Sequence, residues 1–353
     1  MATIATNDLD YLATRLHARR SRMAEAERLD ALCAFRTVPD LGRAVRPEWD
    51  SQTAVNFQRR LLQDLVREFS FCLRHLDGAG RQLVGWMQAR FQIENLKVLL
   101  RGLLNHTPFE VMQEHLVPLP RELTLDAQAL LDAETLDSFI QHLPAGWPLK
   151  QFQAAVAAQR DEPQAFFLEA ALDAGYFQEL LVRIERLSAS ERELIGPLAR
   201  QQVEMFHLML VVRGKFNHGL TAESLSSLLV PGSGAAAVRF KAMLAAPDVS
   251  TAAKLSLGHA FDELAALHTT GEVATPSDPA ILEALSGRCF LRLANGAFRR
   301  SHMGLAAVVG YLEIRRVEVA NLITLSEGIR TGVSTEKVRA RLIPRTDLEA
   351  VYV

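Results

Sequence analysis

Phe91-Gln-Ile-Glu-Asn-Leu-Lys-Val-Leu-Leu-Arg-Gly102 decides the reading of this chain, because its pattern returns twice. The second occurrence is Val203-Glu-Met-Phe-His-Leu-Met-Leu-Val-Val-Arg-Gly214 and the third is Val317-Glu-Val-Ala-Asn-Leu-Ile-Thr-Leu-Ser-Glu-Gly328. Each is followed by a Leu-Val/Ile-Pro triplet, ending at Pro118, Pro231 and Pro344, at glycine-to-proline spacings of 16, 17 and 16 residues. The glycines lie 112 and 114 positions apart, a domain-sized period rather than the 20 to 50 residues of a solenoid. The chain therefore reads as three similar domains, 1–122, 123–234 and 235–353.

Each copy has one local plan. A long helix carries its glycine about a turn before the end, and a left-handed residue then stops it: Gly219 and Gly332 in copies two and three, Asn105 or His106 in copy one. A new helix start follows at Thr107 with Pro108 and Glu110, at Thr221 with Glu223, and at Ser334 with Glu336; the first has the form of a capping box. A glycine inside a helix costs roughly 0.5–1 kcal/mol relative to alanine. Gly102, Gly214 and Gly328 thus imply a close approach, with another backbone the simplest candidate. Asn95, His207 and Asn321 stand seven residues earlier on the same largely apolar face. A buried polar side chain without a partner costs on the order of 1–3 kcal/mol. These three are expected to tie the long helix to a neighbour or a loop.

Helical periodicity runs through the rest. Phe57, Leu61, Leu62, Leu65 and Phe69 recur at steps of three and four and predict an amphipathic helix over 57–76, ended by Asp77-Gly-Ala-Gly80. Further helices are predicted over 81–105, 164–187, 190–217, 278–286 and 303–331, with no alternating strand pattern. Pro231-Gly-Ser-Gly234 reads as a linker, and 144–148 and 269–278 as loops. Hydrophobic residues make up 49% of the chain, enough for real cores, and aromatics only 7%, which with abundant Leu and Ala favours an all-α fold.

Several functions are disfavoured. A net charge of −2 gives no basic surplus for general nucleic-acid binding. The three cysteines, Cys33, Cys72 and Cys289, make neither a disulfide framework nor a zinc spacing, which fits a reducing compartment. Residues 1–8 are polar and do not read as a signal peptide, and no apolar run reaches the ~20 residues of a membrane span. Pro231-Gly-Ser-Gly234 lacks the Lys-Ser/Thr that a phosphate-binding loop requires. There is no His-Glu-x-x-His, no Gly-x-Ser-x-Gly and no Asp-Asp-x-x-Asp. Asp126, Asp132, Glu134 and Asp137 read as an exposed acidic face, and His207 as a hydrogen-bonded core histidine. No catalytic, cofactor or metal site is expected.

The charges are less symmetric than the packing. Lys97 and Arg101 share a helix face, and Arg213 matches Arg101, but copy three has Ile323 and Glu327 there. A surface used identically by all three copies would not change sign. Lys97, Arg101 and Arg213 are therefore candidates for a partner-facing role, with a solvated face as the alternative. Arg15, Arg19, Arg20 and Arg22 form a second basic cluster that faces either a partner or solvent.

A family resemblance rests on these segments. Tyr11-Leu-Ala-Thr-Arg15-Leu-His-Ala-Arg19 resembles the opening helix of the V-type/A-type ATPase connector subunit, known as C in bacterial and archaeal enzymes and d in eukaryotic ones. Glu94-Asn95-Leu96-Lys97 with Leu100-Arg101-Gly102 resembles its first-domain signature. Leu172-Asp173-Ala-Gly-Tyr176-Phe177 resembles a second-domain helix start. Glu318-Val-Ala-Asn321-Leu322, Glu327-Gly328 and Gly332-Val-Ser-Thr-Glu336 resemble its C-terminal signature. The matches keep their order over nearly the whole chain, while 24–50 and 233–280 match only loosely. The resemblance implies three helical domains around a pseudo-threefold axis, shaped as a funnel. It also implies a non-catalytic rotor part joining central-stalk subunits of the D and F type to a membrane proteolipid ring, on the cytoplasmic face, as a single copy within a hetero-oligomer that moves protons or sodium ions. A triplicated helical scaffold unrelated to rotary ATPases is the runner-up, and a helical enzyme with an unrecognised site the third reading. A deep apolar pocket with convergent carboxylates would favour the enzyme.

Overall fold

The computed structural model describes residues 4–49, 51–133, 135–143, 149–159, 163–262, 277–301 and 303–344. Among the described residues the regular secondary structure is all helical. The all-α expectation holds.

Each copy places a first helix beside the long helix that carries the repeat. The first helices are Ala54–Leu73, Ala165–Glu185 and Pro279–Arg300. The long helices are Gly78–Leu104, Ala189–Met209 continued by a π-helical segment Leu210–Asn217, and Leu305–Thr331. A short helix follows each: Phe109–Met112, Ala222–Ser226 and Thr335–Arg341. Phe57, Leu61, Leu65 and Phe69 are buried, as their spacing requires. Several predicted boundaries shift, and the helix predicted over 57–76 spans Ala54–Leu73. Gly78 and Gly80 lie inside the long helix of copy one rather than in the turn before it, with Asp77 at its N-cap. The helix predicted over 278–286 runs on to Arg300, because Phe290, Leu291, Ala294, Ala297 and Phe298 continue its buried stripe. The loop at 144–148 lies outside the described residues, as does most of 269–278, where the described Asp278 caps the helix that follows. Asp126, Asp132 and Asp137 are exposed, and Glu134 lies outside the described residues.

Packing between copies is cyclic. The long helix of copy one packs on the first helix of copy two, that of copy two on the first helix of copy three, and that of copy three on the first helix of copy one. One continuous apolar core runs through all three, from Leu61 and Leu96 through Leu172 and Leu208 to Leu322. The N-terminal segment reaches the far end of the chain. Its helix Ile4–Arg20 packs on the long helix of copy three. The Ala24 N–H donates to the Glu318 carboxylate at 2.6 Å. Arg36 donates to the Thr335 hydroxyl at 2.6 Å, and Asp30 pairs with Arg339 at 3.0 Å.

Candidate functional site

The repeated residues build one device three times. In copy one the Asn95 amide Nδ2 donates to the Val117 carbonyl at 2.9 Å, and the Val117 N–H donates to Asn95 Oδ1 at 2.8 Å. In copy three Asn321 makes the same pair with Ile343, both bonds at 2.8 Å. Each asparagine thus presents to one residue the donor and acceptor that a β-ladder neighbour would present. That residue precedes the proline of the Leu-Val/Ile-Pro triplet, so the chain leaving each short helix is pinned to the middle of the long one. A polar tie from the long helix to a loop is present in every copy.

Copy two solves the same problem with a different side chain and one more residue. His207 Nε2 accepts the Val230 N–H at 3.2 Å, across 23 positions instead of the 22 of the other copies. The extra residue is absorbed between Gly214 and Leu220. There the His218 N–H bonds to the Arg213 carbonyl at 2.9 Å, the five-residue step of a π-helix, and the Leu220 N–H returns to Gly214. The Phe240 ring stacks on His207 with centroids 4.4 Å apart. Burial pushes the imidazole down to about 4, so it stays neutral with Nε2 free to accept. The core-histidine reading of His207 agrees with this geometry.

The glycines need a correction. A Cβ on Gly102 would stand 2.8 Å from Leu131 Cδ2 and 3.1 Å from Met112 Cγ; one on Gly214 would stand 2.8 Å from Leu225 Cδ2. On Gly328 it would collide with Val338. Met112, Leu225 and Val338 occupy equivalent places in the three short helices. The close approach is therefore by side chains, from the next short helix in every copy and, nearest of all at Gly102, from Leu131 at the end of helix Ala127–Leu131, not by another backbone. The backbone contact falls on a glycine outside the repeat pattern: a Cβ on Gly310 would lie 2.7 Å from the Ala294 carbonyl oxygen and from the Phe298 nitrogen.

The helix ends are mostly as read. His106, Gly219 and Gly332 take positive φ of 52°, 68° and 66°, so His106 and not Asn105 is the left-handed residue of copy one. The Thr221 and Ser334 hydroxyls cap their helices. The capping box at Thr107 does not form, because the N-cap position is Pro108 and Thr107 stands one residue too early.

The cations singled out from the sequence lie on the seams between copies. Lys97 Nζ stands 2.7 Å from the Asp173 carboxylate, which also receives Arg90 at 3.0 Å. Arg101 holds Glu169 at 2.5 Å, and Arg213 holds Glu283 at 2.8 Å. At the third seam Glu327 accepts from the Gln58 amide at 2.5 Å. Glu169, Glu283 and Gln58 occupy matching positions on the three first helices, 45, 45 and 44 residues before the repeat glycine of their copy. The sign change that the sequence shows at Glu327 is thus answered inside the chain by a neutral amide, and needs no asymmetric shaft to explain it. Burial raises the Glu94 carboxyl, but Arg90, Lys97 and Arg101 outweigh it and hold it below the usual carboxylate range. Trp86 stacks on Tyr176 across the same seam and donates its indole N–H to the Tyr176 carbonyl at 3.1 Å. Tyr176 is pushed up to about 12 by burial.

The N-terminal cluster divides. Arg19 pairs with Glu68 at 2.5 Å and lies over the Phe71 ring, 4.2 Å from its centroid. Arg20 is drawn inward to Asn295. Arg15 is exposed and donates to the Tyr11 hydroxyl at 2.5 Å, and Arg22 is exposed. Sequence reasoning missed the half-buried Arg90 and the buried pair Arg315–Glu318. Their signal was a charged residue on an otherwise apolar helix face. Burial lowers Arg315, and the Glu318 carboxylate beside it more than compensates.

Among the described residues no three His, Cys, Asp or Glu side chains are grouped to hold a metal ion. No helix there is long and apolar enough to cross a membrane.

Residues 12–341 match the family model described as ATP synthase (C/AC39) subunit. The C subunit of the A-type ATP synthase of Methanosphaera stadtmanae is 19% identical over 338 residues, covering 94% of this chain and 87% of that one. The C subunit of the V-type ATP synthase of Deinococcus radiodurans is 23% identical over 347 residues, covering 94% and 90%. The C subunit of the A-type ATP synthase of Methanosarcina barkeri is 22% identical over 352 residues, covering 96% and 93%. The family match spans almost the whole length: the chain belongs to the ATP synthase (C/AC39) subunit family.

Proposed function

We propose that this chain is the non-catalytic connector of a V/A-type rotary ATPase, joining central-stalk subunits of the D and F type to the membrane proteolipid ring. In this reading the copies 1–122, 123–234 and 235–353 stand around a pseudo-threefold axis and form a funnel. One side rests on the ring and the other receives the tip of the stalk. The subunit turns with the rotor at the cytoplasmic face and passes torque between ATP chemistry and proton or sodium movement, with no active site of its own.

The observation that carries this reading is the cyclic packing of three equivalent helix pairs, each closed by the same lock at Asn95, His207 or Asn321. Torque transfer asks for a part that does not shear between its domains. A shared core and ion-paired seams supply that stiffness. Family membership supports the setting and speaks against a scaffold unrelated to rotary ATPases.

The test is capture from detergent-solubilised membranes of the source organism with the tagged full chain, and identification of the bound subunits. Stalk and proteolipid subunits together are expected. Recovery of the chain with neither, from membranes whose ATPase is intact, overturns the reading.

A further inference from the structure

Beside the seam between copies three and one lies a cavity of about 650 Å³. Its floor is buried and comes from distant parts of the chain: Met23, Ala24, Tyr311, Arg315 and Glu318. Its rim carries Arg15, Arg22, Arg28 and Arg67, all exposed. In all, seven arginines and four carboxylates line it.

The carboxylates are mostly engaged already. Glu68 serves Arg19, Glu318 serves Arg315, and Asp64 serves Arg67 at 3.2 Å and Arg46 at 3.8 Å. Among the described residues no ion pair involves Arg15, Arg22 or Arg28. Arg28 donates to the Arg22 carbonyl, and Arg15 is held by the Tyr11 hydroxyl and the Phe71 ring. Both devices fix a guanidinium in place without neutralising it. Like charges around one hollow repel one another weakly through water, and an anion entering it replaces that repulsion with attraction.

The shape favours a compact ligand. The volume lies within the usual range for small-molecule sites. A surplus of three cations around one hollow is met best by several charges on one small group. Three carboxylates would each bring a side chain and a stretch of backbone, whereas an oligophosphate brings none. Guanidinium forks also match phosphate oxygens in paired hydrogen bonds. We propose that the Arg15–Arg22–Arg28–Arg67 cavity is a binding site for a phosphate-bearing anion, either a free oligophosphate or the phosphate of a lipid headgroup.

The site is formed by this chain alone, so it stands apart from the assembly reading. The N-terminal segment, the first helix of copy one and the long helix of copy three build it together, and an anion bound there would hold the N-terminal segment down on both helices.

The experiment uses the full chain in three arms. Calorimetric titration with sodium tripolyphosphate is compared with chloride at matched ionic strength. Flotation is measured with phosphatidylcholine vesicles with and without phosphatidic acid. A poly-glutamate peptide is titrated as the carboxylate probe. Each is repeated on Arg22→Glu/Arg28→Glu, and on Arg299→Glu/Arg300→Glu, which reverses the same charge at another exposed site. Thermal melts confirm that both variants are folded. Saturable binding of tripolyphosphate or of phosphatidic acid vesicles is expected, weakened at least about tenfold by the first double variant and unchanged by the second. Response in the first arm only identifies a soluble ligand, and response in the second only a lipid. Equal weakening by both variants, no saturable binding of either phosphate source, or binding of poly-glutamate alone overturns the proposal.

Discussion

The Lys97 ammonium and the Asp173 carboxylate, 2.7 Å apart and 76 residues apart in sequence, join two copies of a repeat at a place where little water reaches. Arg90 contacts the same carboxylate, so one acid serves two cations. Asp173→Asn is expected to leave both cations under-compensated and to destabilise the chain by about 3–5 kcal/mol. Lys97→Met keeps the Arg90–Asp173 pair and replaces a charge by an apolar chain of similar length, so it is expected to cost far less. Urea unfolding of both variants checks the order; equal losses would mean that the ion pairs do not hold this seam.

His207 gives the chain a dependence on pH that the other two locks lack. Its native value of about 4 lies below the ordinary histidine value near 6.5. The unfolded chain therefore takes up a proton that the folded chain refuses. Its contribution to stability is full above pH 6.5 and is lost as pH falls toward 4, on the order of 3 kcal/mol across that window. His207→Asn is expected to flatten this part of the stability profile, while lowering stability at pH 7 through loss of the Phe240 stack. Chemical unfolding between pH 4 and pH 7 reads both effects.

Asn95→Ala and Asn321→Ala strand the N–H and C=O of Val117 and Ile343 respectively. Each unpaired buried group costs about 1–3 kcal/mol, so Asn95→Ala is expected to lose roughly 2–6 kcal/mol, and Asn321→Ala less because the Ile343 groups are only part-buried. Aspartate in place of either asparagine accepts the N–H but repels the carbonyl, and is expected to fall between alanine and wild type or below both. Thermal unfolding with hydrogen exchange at Val117 and Ile343 distinguishes a local release from a global one.

Glycines of two kinds should respond differently. Gly214→Ala meets Leu225 Cδ2, the end of a side chain that can turn aside, and gains helix propensity, so its net effect is expected to stay within about 1 kcal/mol. Gly214→Leu has no such room and is expected to destabilise by about 2 kcal/mol or more. Gly310→Ala meets the backbone of the facing helix at Ala294 and Phe298, which cannot rotate away, and is expected to cost more than Gly214→Ala. Melting temperatures of the three variants test the ranking; Gly310→Ala as stable as wild type would mean that the two helices can separate freely.

Residue 101 and its counterparts illustrate how far the sequence could be read. That Arg101, Arg213 and Glu327 occupy one repeat position was plain from the alignment of the copies. What each one touches was not, because Glu169, Glu283 and Gln58 belong to the next copy and share no motif with them. The same holds for Arg90, Glu318 and the Arg-lined cavity, whose walls are brought together from opposite ends of the chain.

The sequence by itself determined the long helices, the threefold repetition, the polar lock positions and, in copies two and three, the left-handed ends of the long helices. These follow from local periodicity, from backbone sterics and from the comparison of three copies of one pattern, all of which are written along the chain. Only the tertiary structure decided that side chains rather than a backbone fill the repeat glycines, that the cations close seams between copies, and that the N-terminal segment clasps copy three. Those facts depend on which surfaces meet after folding, and the pairing of surfaces far apart in sequence leaves no periodic trace in either partner.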